Sequence, residues 1–405
     1  MILTERHIIK PSDRRYKEFD NLCFLSKNLY NATLYTVRQH YFKTHEYLNY
    51  YCIDKLFKEQ NNVDYRTLPT KSSQQTMKMV DKNFKSFFSL LKKKKAKKYN
   101  KNIHIPKYLD KTKGRFPVVY TSIALSKNFL KQHIIKLEKS DLKFKTCVED
   151  TSSIKQVRIV PKTDFTILEV LYKVNEQTLQ KDNGRYCGID IGVNNLATVS
   201  SNVTKPFIIN GRPLKSINQC FNKKKGYFQS ILKKRNGKNI SRRIKSLTDK
   251  RNNKINDYMH KASRMLTNQL ADRSIATVVI GRNKDWKQDA NIGKRNNQNF
   301  VQIPFYKFIQ QIEYKCRLKG IKVVETEESY TSKCSFFDGE NIGKHEVYKG
   351  KRIKRGLFRS SDGTLINADV NGSLNILKKV AGNSIQKLNS VEACSTPAVF
   401  TVKLN

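Results

Sequence analysis

The sequence predicts a mixed α/β fold built from two parts, and three patterns support that prediction. Apolar residues recur at helical spacing between about residues 15 and 91. Short segments rich in Val, Ile and Thr follow as far as residue 174, which is typical of strands. After the polar segment 180–184, strand-like segments come first and then alternate with helical ones, as in α/β domains. The boundary between the two parts is therefore predicted near 180–184.

The N-terminal part is predicted to be a β domain that helices interrupt. We expect a strand in the first ten residues, a helical insertion over 15–115 and further strands after it, so that 1–14 and 116–178 form one β domain. Two helices of the insertion should each bury one apolar face. The predicted inward residues are Leu22, Leu25, Leu29, Ala32 and Tyr35 in the first helix, and Met77, Val80, Phe84, Phe87 and Leu91 in the second.

The C-terminal part, 183–380, is predicted to contain one mixed sheet. We expect strands within 186–199 (two), 208–211, 275–280 and 321–324. Helices are expected in the basic region 223–270, after Pro304 and from near Asp369. Three successive strands followed by helix–strand repeats fit a sheet of the RNase H type. Residues 381–405 show no clear pattern and are predicted only as a C-terminal tail.

The positive charge of the chain indicates the class of its partner. The sequence has 79 Lys and Arg against 34 Asp and Glu, a formal net charge of +45. Because neutralising phosphates releases counterions, a nucleic acid explains this excess best. A basic membrane-surface protein would need an anchor, and no apolar run approaches the roughly 20 residues that span a bilayer. We therefore expect a nucleic-acid-binding protein of the cytoplasm, associated with the nucleoid and without a membrane partner.

Two basic segments are the candidate nucleic-acid contacts. One follows the second helix of the insertion, and the other lies in the basic helical region of the C-terminal part. A solvated charged face is the alternative for both. The candidate residues are Lys92, Lys93, Lys94, Lys95, Lys97, Lys98, Lys233, Lys234, Arg235, Arg242, Arg243 and Arg251.

Asp190 is the most informative residue, because it stands within an apolar strand-like segment. Burying a carboxylate is costly unless it is paired or binds a metal. The alternative is an acid at a frayed strand end that meets a lysine. Asp369 stands at the start of a predicted helix, where Asp is also a favoured N-cap, so capping alone is an alternative explanation.

Glutamates 325, 327 and 328 cluster at the end of a predicted strand. They are either a solvated acidic turn or a source of a third carboxylate beside Asp190 and Asp369. If strand ends and helix start meet at one edge of the sheet, three carboxylates would bind two divalent cations that promote phosphodiester hydrolysis. Oxygen ligands favour Mg²⁺ or Mn²⁺. The sequence thus predicts a metal-dependent nuclease.

Three segments occur in a fixed order: 188–192 (Gly-Ile-Asp-Ile-Gly), 330–335 (Tyr-Thr-Ser-Lys-Cys-Ser) and 367–376 (Asn-Ala-Asp-Val-Asn-Gly-Ser-Leu-Asn-Ile). Together they resemble the RuvC-like nuclease segments of the transposon-encoded TnpB (OrfB) family, which is related to type V CRISPR effectors and Fanzor proteins. The resemblance implies a RuvC-like domain over 183–380. It also implies a wedge-like domain at 1–14 and 116–178 and a helical recognition insertion at 15–115.

The resemblance further implies an RNA-guided DNA endonuclease of a mobile element that works as a monomer. Its guide RNA would come from the transposon end, and its target would be double-stranded DNA with a short flanking motif. In RNA-guided effectors, base pairing reads the rest of the target. Two other readings stay open, a nuclease-dead RNA-guided DNA-binding protein and a transposase accessory protein.

The chain departs from the family pattern at the third carboxylate. The family usually has its glutamate after the strand that here ends in Val278-Val279-Ile280, but this chain has Gly281. Some relatives supply the glutamate just before the Tyr-Thr-Ser segment, and Glu328 matches that arrangement best. The predicted catalytic and metal-binding set is therefore Asp190, Glu328 and Asp369, with Glu327 and Glu325 as fallbacks.

The second departure concerns zinc in the insertion 331–366. The family commonly carries two C-x-x-C pairs there, whereas the eight Cys residues of this chain form none. Cys334 with His345 cannot complete a tetrahedral site, so we expect a degenerate zinc ribbon without structural zinc. The loop should be held by aromatic and aliphatic packing instead, through Phe336, Phe337, Leu357 and Phe358.

Overall fold

The structure is a computed structural model that describes residues 1–283, 293, 298, 300–382 and 391–403. The chain divides into two compact units, Met1–Val174 and Asn175–Asn405. Among the described residues, no helix combines the length and the apolarity needed to cross a membrane.

The first unit contains a four-stranded antiparallel sheet and a separate two-stranded hairpin. The large sheet has the order β1-β6-β5-β2, and β3 pairs with β4. The strands are β1 (Ile2–Ile9), β2 (Val118–Thr121), β3 (Ile134–Lys136), β4 (Lys143–Lys145), β5 (Ile154–Pro161) and β6 (Thr166–Lys173). The predicted strands of the N-terminal part are therefore present. Because β1 lies beside β6, the sheet joins segments on both sides of the helices.

Helices fill the segment between β1 and β2, as the apolar spacing predicts. They are α1 (Tyr16–Thr44), α2 (Tyr50–Glu59), α3 (Val63–Thr67) and α4 (Thr70–Lys95), and the short α5 (Lys127–Leu130) follows β2. Asn49 caps α2, because its side chain accepts hydrogen bonds from the backbone N–H groups of Tyr51 and Cys52. Leu22 and Leu29 of α1 are fully inside the core, but Tyr35 is exposed, so its prediction as an inward residue is wrong.

The second unit contains a six-stranded mixed sheet with the order β11-β10-β7-β8-β9-β15 and a three-stranded sheet, β12-β13-β14. The strands β7, β8 and β9 are antiparallel, whereas β10 and β11 run parallel to β7. The strands are β7 (Tyr186–Asp190), β8 (Asn195–Ser201), β9 (Phe207–Asn210), β10 (Thr277–Gly281), β11 (Lys322–Thr326), β12 (Lys351–Lys354), β13 (Leu357–Arg359), β14 (Leu365–Asn367) and β15 (Ala398–Phe400).

The basic region predicted to be helical over 223–270 forms two helices, and the first begins earlier than expected. Among the described residues of this unit, the helices are α6 (Arg212–Asn236), α7 (Arg242–Asp272), α8 (Phe305–Arg317), α9 (Ala368–Ala381) and α10 (Val391–Ser395). Gly237 ends α6 with a φ of 66°, a left-handed conformation that glycine adopts without steric cost. Ser241 then caps α7 by accepting from Ile244 N.

The large sheet packs helices on both faces, which explains the continuous apolar runs of its central strands. Val278 and Ile280 belong to the core that α7 and α8 cover, and Val279 between them packs against Ile376 and Leu377 of α9. This alternation follows from the period of two in a strand. The sequence suggested no structure for the C-terminal tail, but β15 pairs in parallel with β9 at the edge of the sheet.

Candidate active site

Asp190 is the last residue of β7, the strand that lies between β8 and β10. Burial raises the pKa of its carboxyl group well above the usual range, the nearby Glu328 and Asp369 raise it further, and Arg352 opposes them. A side chain on Gly372 of α9 would place its Cβ 3.0 Å from Asp190 Oδ2. Glycine at this position therefore lets α9 pass close to the carboxylate.

Asp369 lies in the first turn of α9, but it does not cap the helix. Asn367 is the cap, because its Oδ1 accepts from the backbone N–H groups of Asp369 and Val370 at 3.0 and 3.3 Å. The Asp369 carboxylate instead accepts from Asn195 Nδ2 at 2.6 Å and from an Nη of Arg352 at 3.3 Å. Capping therefore does not explain why an acid stands at this position.

Glu328 follows β11 by two residues, and backbone contacts fix it on both sides. Its N–H donates to Asn283 Oδ1 at 3.0 Å, and its C=O accepts from the Thr331 hydroxyl at 2.8 Å. Lys379 of α9 donates to the carbonyls of Glu327 and Ser329 at 2.8 and 2.9 Å. The turn is thus tied to α9.

One carboxylate oxygen of Glu328 is directed inward. Its Oε1 is buried and has no hydrogen-bond partner in the described part of the chain. Burial raises the pKa of Glu328 to about 7, against the lowering effect of Lys379. A buried carboxylate oxygen that lacks a donor is costly, and a bound cation would relieve that cost.

Glu328 occupies the space that a side chain at position 281 would need. A Cβ on Gly281 would lie 2.7 Å from Glu328 Cγ and 3.0 Å from Glu328 Oε1. Gly281 ends β10, the neighbour of β7 in the sheet. A carboxylate from residue 328 therefore reaches the place that a longer side chain at residue 281 would fill.

The other two glutamates of the cluster lie elsewhere. Glu325 is part of β11 and accepts from Arg282 with both carboxylate oxygens, at 2.9 and 2.6 Å. Glu327 is exposed and accepts from the Ser329 hydroxyl. The structure thus brings Asp190, Glu328 and Asp369 together and directs both fallback residues away from them.

A cleft of about 490 Å³ opens beside Asp190 and Asp369. Three arginines line it, Arg212 at the start of α6 and Arg352 and Arg355 in or after β12. None of the three was singled out in the sequence, because arginines are common in this chain and only the fold brings these to the acids. Within the described ranges, no three His, Cys, Asp or Glu side chains are arranged to hold a metal ion. The Asp369 carboxylate instead accepts hydrogen bonds from Asn195 and Arg352.

The insertion 331–366 is held by two carboxylates as well as by aromatic packing. Glu340 is buried and accepts from the N–H groups of Ser335 and Lys349 at 2.7 and 3.1 Å. Asp338 accepts from the N–H and the hydroxyl of Ser361. These two acids were missed in the sequence, although they follow Cys334 closely.

The aromatic residues expected to hold the insertion do pack together. Phe358 is buried, with Phe336 and Phe337 against the same cluster, whereas Leu357 is only partly buried and is not part of it. The buried Cys334 thiol lies 3.6 Å from the Gly343 carbonyl. The absence of structural zinc stays a prediction.

Most of the predicted basic contacts lie at helix ends. Lys92 to Lys95 form the last turn of α4, with Lys97 and Lys98 just beyond it. Lys233, Lys234 and Arg235 end α6, and Arg242 and Arg243 begin α7.

Arg251 differs from the other basic candidates. Its guanidinium donates to Asn218 Oδ1 at 2.8 and 2.6 Å and to the Gln302 carbonyl at 2.6 Å, and burial lowers its pKa. These bonds tie α7 to α6 and to residue 302. The guanidinium of Arg251 therefore serves contacts within the fold, unlike the basic residues at the helix ends.

Two segments of the chain match known protein families. Residues 169–287 match OrfB_IS605, described as "Probable transposase", and residues 305–376 match the Cas12f1-like TNB domain. The first segment runs from β6 through β7 to the end of β10, and the second from α8 into α9. Asp190 falls in the first match, and Glu328 and Asp369 fall in the second.

Two curated relatives match at the level of sequence. The "TnpB-like protein ORF457" of Acidianus two-tailed virus is 32% identical over 136 residues, which is 32% of this chain and 26% of that protein. The "CRISPR-associated endodeoxyribonuclease Cas12f2" of Micrarchaeota archaeon (strain CG1_02_47_40) is 28% identical over 225 residues, 52% of this chain and 39% of that protein. The chain thus spans well under half the length of either relative.

Among solved structures, a Cas12f1–sgRNA–target DNA complex aligns with 93% of this chain and 99% of that one, at 17% identity. The TM-score is 0.36, which is too low to support a conclusion about the fold.

Proposed function

We propose that this chain is a TnpB-like protein and, from that premise, that it is an RNA-guided DNA endonuclease of a mobile element. The observation that carries the proposal is that Glu328 and Asp369 both lie near the buried carboxyl group of Asp190, and that Asp190 and Asp369 line a cleft with three arginines. In a chain of net charge +45, a buried carboxylate with two further acids nearby needs a reason, and binding of cations supplies it.

The strand order supports an RNase H-like, RuvC-type nuclease domain. Three antiparallel strands followed by two strands parallel to the first form the sheet β9-β8-β7-β10-β11. Asp190 ends the strand at the centre of that sheet, where paired strands on both sides make it a rigid ligand. Glu328 follows β11, and Asp369 comes from α9, which covers one face.

The three carboxylates fit a site for Mg²⁺ or Mn²⁺, because they offer oxygen ligands and include a buried oxygen without a donor. When bound, such cations activate the attacking water and stabilise the leaving oxygen of the phosphodiester. The protein contributes the positions of the ligands. Asn195 orients Asp369, and the turn around Glu328 is anchored to α9 by Lys379.

The cleft arginines provide the positive charge that a DNA strand requires. Arg212, Arg352 and Arg355 line the same cleft as Asp190 and Asp369, so phosphates that enter it meet cations next to these carboxylates. The ion pair between Arg352 and Asp369 keeps one arginine next to the position where a phosphate would be cut.

The partners follow from the same premise. We propose a guide RNA from the transposon end and a double-stranded DNA target with a short flanking motif, bound by a monomer in the cytoplasm. In the first unit, the sheet built from β1, β2, β5 and β6 would act as the wedge-like domain. The helices α1 to α4 would act as the recognition insertion.

The test of catalysis uses the protein purified with its co-purifying RNA, which is sequenced to design matched duplex DNA. We expect cleavage in Mg²⁺ that falls by more than about 100-fold in Asp190→Ala, Glu328→Ala and Asp369→Ala, while DNA binding is retained. Glu325→Ala and Glu327→Ala are the matched controls and should stay within about 2-fold of the unaltered protein.

Each other outcome of this test has a distinct meaning. Full activity in Glu328→Ala would contradict the assignment of the third carboxylate. Binding of matched DNA without cleavage by the unaltered protein would favour the nuclease-dead alternative. Joining of transposon ends would favour a role in transposition itself.

A double substitution tests the relation between positions 281 and 328. Gly281→Glu alone should impair cleavage, because its side chain collides with Glu328. Glu328→Ala removes the collision with residue 328 and leaves only the contact of the new Cβ with the movable Cδ1 methyl group of Ile376, at 2.5 Å. The glutamate at position 281 then supplies a carboxylate at that place. We expect the double variant to be more active than either single variant, a non-additive result that two unrelated defects do not give.

A further inference from the structure

Arg38 lies between two exposed aromatic rings on the outer side of α1. Its guanidinium carbon is 4.8 Å from the centroid of the Tyr108 ring and 5.6 Å from that of the Phe42 ring. Phe42 and Tyr108 are 54% and 43% exposed, and Tyr35, three residues before Arg38, is 58% exposed. We call Tyr35, Arg38, Phe42 and Tyr108 the Arg38 surface.

The loop that carries Tyr108 is fixed to α1 at the neighbouring residue. Asn31 donates through Nδ2 to the Leu109 carbonyl and accepts at Oδ1 from the Leu109 N–H, both at 2.9 Å. Leu109 also packs against the core of the first unit. The Arg38 surface therefore exists before any partner binds, which lowers the cost of ordering these side chains on binding.

The charge around the Arg38 surface is positive. The ion pairs among described residues of the first unit involve other cations and leave Arg38 without a carboxylate. Lys107 and Lys111 flank Tyr108 in the chain, and both are exposed. The acid between them, Asp110, accepts from the N–H groups of Thr112 and Lys113. A polyanion is the partner that such surroundings attract.

We propose that the Arg38 surface binds unpaired nucleotides of RNA, with a base stacked on an exposed ring and a phosphate held by Arg38. Unpaired RNA bases stack on aromatic side chains and guanidinium planes, whereas duplexes keep their base faces covered. A second copy of this chain is disfavoured as the occupant, because two copies of charge +45 repel each other. This inference rests on the proposed function only in that the guide RNA would be the ligand.

The test measures binding of the full chain, freed of cellular RNA, to a fluorescent single-stranded RNA of mixed sequence and to the same sequence as a duplex. We expect Tyr108→Ala and Phe42→Ala to weaken single-strand binding by about 10-fold each. Tyr108→Phe and Phe42→Tyr keep the rings and should stay within about 2-fold. Tyr51→Ala, which removes an exposed tyrosine of α2, is the control for nonspecific loss.

Photo-crosslinking identifies the contact directly. RNA that carries 4-thiouridine should crosslink to peptides with Phe42 or Tyr108, as identified by mass spectrometry. Equal loss of single-strand and duplex binding in the alanine variants would overturn the proposal, because it would indicate a charge effect alone. So would unchanged binding in folded variants, or a change in oligomeric state instead. These outcomes do not depend on cleavage, so the inference and the proposed nuclease can fail separately.

Discussion

At the scale of single residues, a small residue in one strand makes room for an acid from the next segment. Gly281 has no side chain, and the space beside it is filled by Glu328, whose backbone is fixed by Asn283 and Thr331. Neither residue has an evident role by itself. The proposed carboxylate site depends on a glycine at one position and a turn geometry at another.

The raised pKa of Glu328 predicts a pH dependence of stability in metal-free protein. Its pKa is about 7 in the folded state against 4.5 for a solvated glutamate, so the folded state holds a proton that the unfolded state loses between these values. The free energy of unfolding should therefore fall as pH rises from about 4.5 to above 7. From this residue alone the fall is about 3 kcal/mol.

Urea denaturation in EDTA, at several pH values, measures this dependence. Glu328→Gln removes one titrating group and should reduce the slope of the profile, while the part that comes from the raised pKa of Asp190 remains. Glu327→Gln, at an exposed neighbour, should leave the profile unchanged. Parallel profiles for unaltered protein and Glu328→Gln would show that the side chain titrates normally.

At the scale of elements, α9 organises most of the site. It supplies Asp369, passes close to Asp190 at Gly372, and anchors the segment around Glu328 through Asn375 and Lys379. The Asn375 amide donates to the carbonyls of Thr331 and Cys334, which explains why an amide is buried in this helix.

The insertion 331–366 is predicted to depend on Glu340. Glu340→Gln leaves one acceptor oxygen for the two N–H groups of Ser335 and Lys349, so the free energy of unfolding should fall by about 1–3 kcal/mol. Thermal unfolding and limited proteolysis within 331–366 measure the effect. Glu346→Gln removes an exposed acid of the same segment and is the matched control.

The insertion is also predicted to contain no structural zinc, so a strong chelator should not lower its stability. Metal analysis that finds one tightly bound zinc per chain would contradict this prediction.

At the scale of the whole molecule, the net charge of +45 dominates how the chain meets its partners. We expect nucleic-acid affinity to fall steeply with salt. Each phosphate contact should add about 0.7–0.9 to the negative slope of the logarithm of the association constant against the logarithm of the salt concentration. The helix ends that carry the basic residues are the places where this charge is most concentrated.

A pair of lysines tests this expectation. Lys94→Gln with Lys95→Gln should reduce the slope of log Kd against log salt by about 1–2 for any probe sequence, because phosphate contacts carry no sequence information. The control pair is Lys205→Gln with Lys322→Gln, two exposed lysines outside the basic segments. An equal effect in both pairs would indicate general electrostatic attraction rather than a contact at the end of α4.

The sequence predicted those elements whose signal is local. Helices α1 and α4 and the strands β5, β7 and β10 follow from apolar spacing, since a buried face must be apolar wherever the element packs. The prediction failed at Tyr35, which is exposed, because helical spacing cannot distinguish an inward aromatic residue from one at the surface. The strand β15 escaped prediction because three residues at a sheet edge, exposed or partly exposed, carry too little pattern.

By itself the sequence determined the charge, the mixed α/β elements and the presence of acids at the ends of β7 and at the start of α9. Only the tertiary structure decided which glutamate joins them, because Glu325, Glu327 and Glu328 differ in direction and not in type. It also decided which arginines line the cleft and that the side chains of the Arg38 surface lie close together. Side chains distant in the chain come together only when strands pair and helices pack, and no local pattern records that proximity.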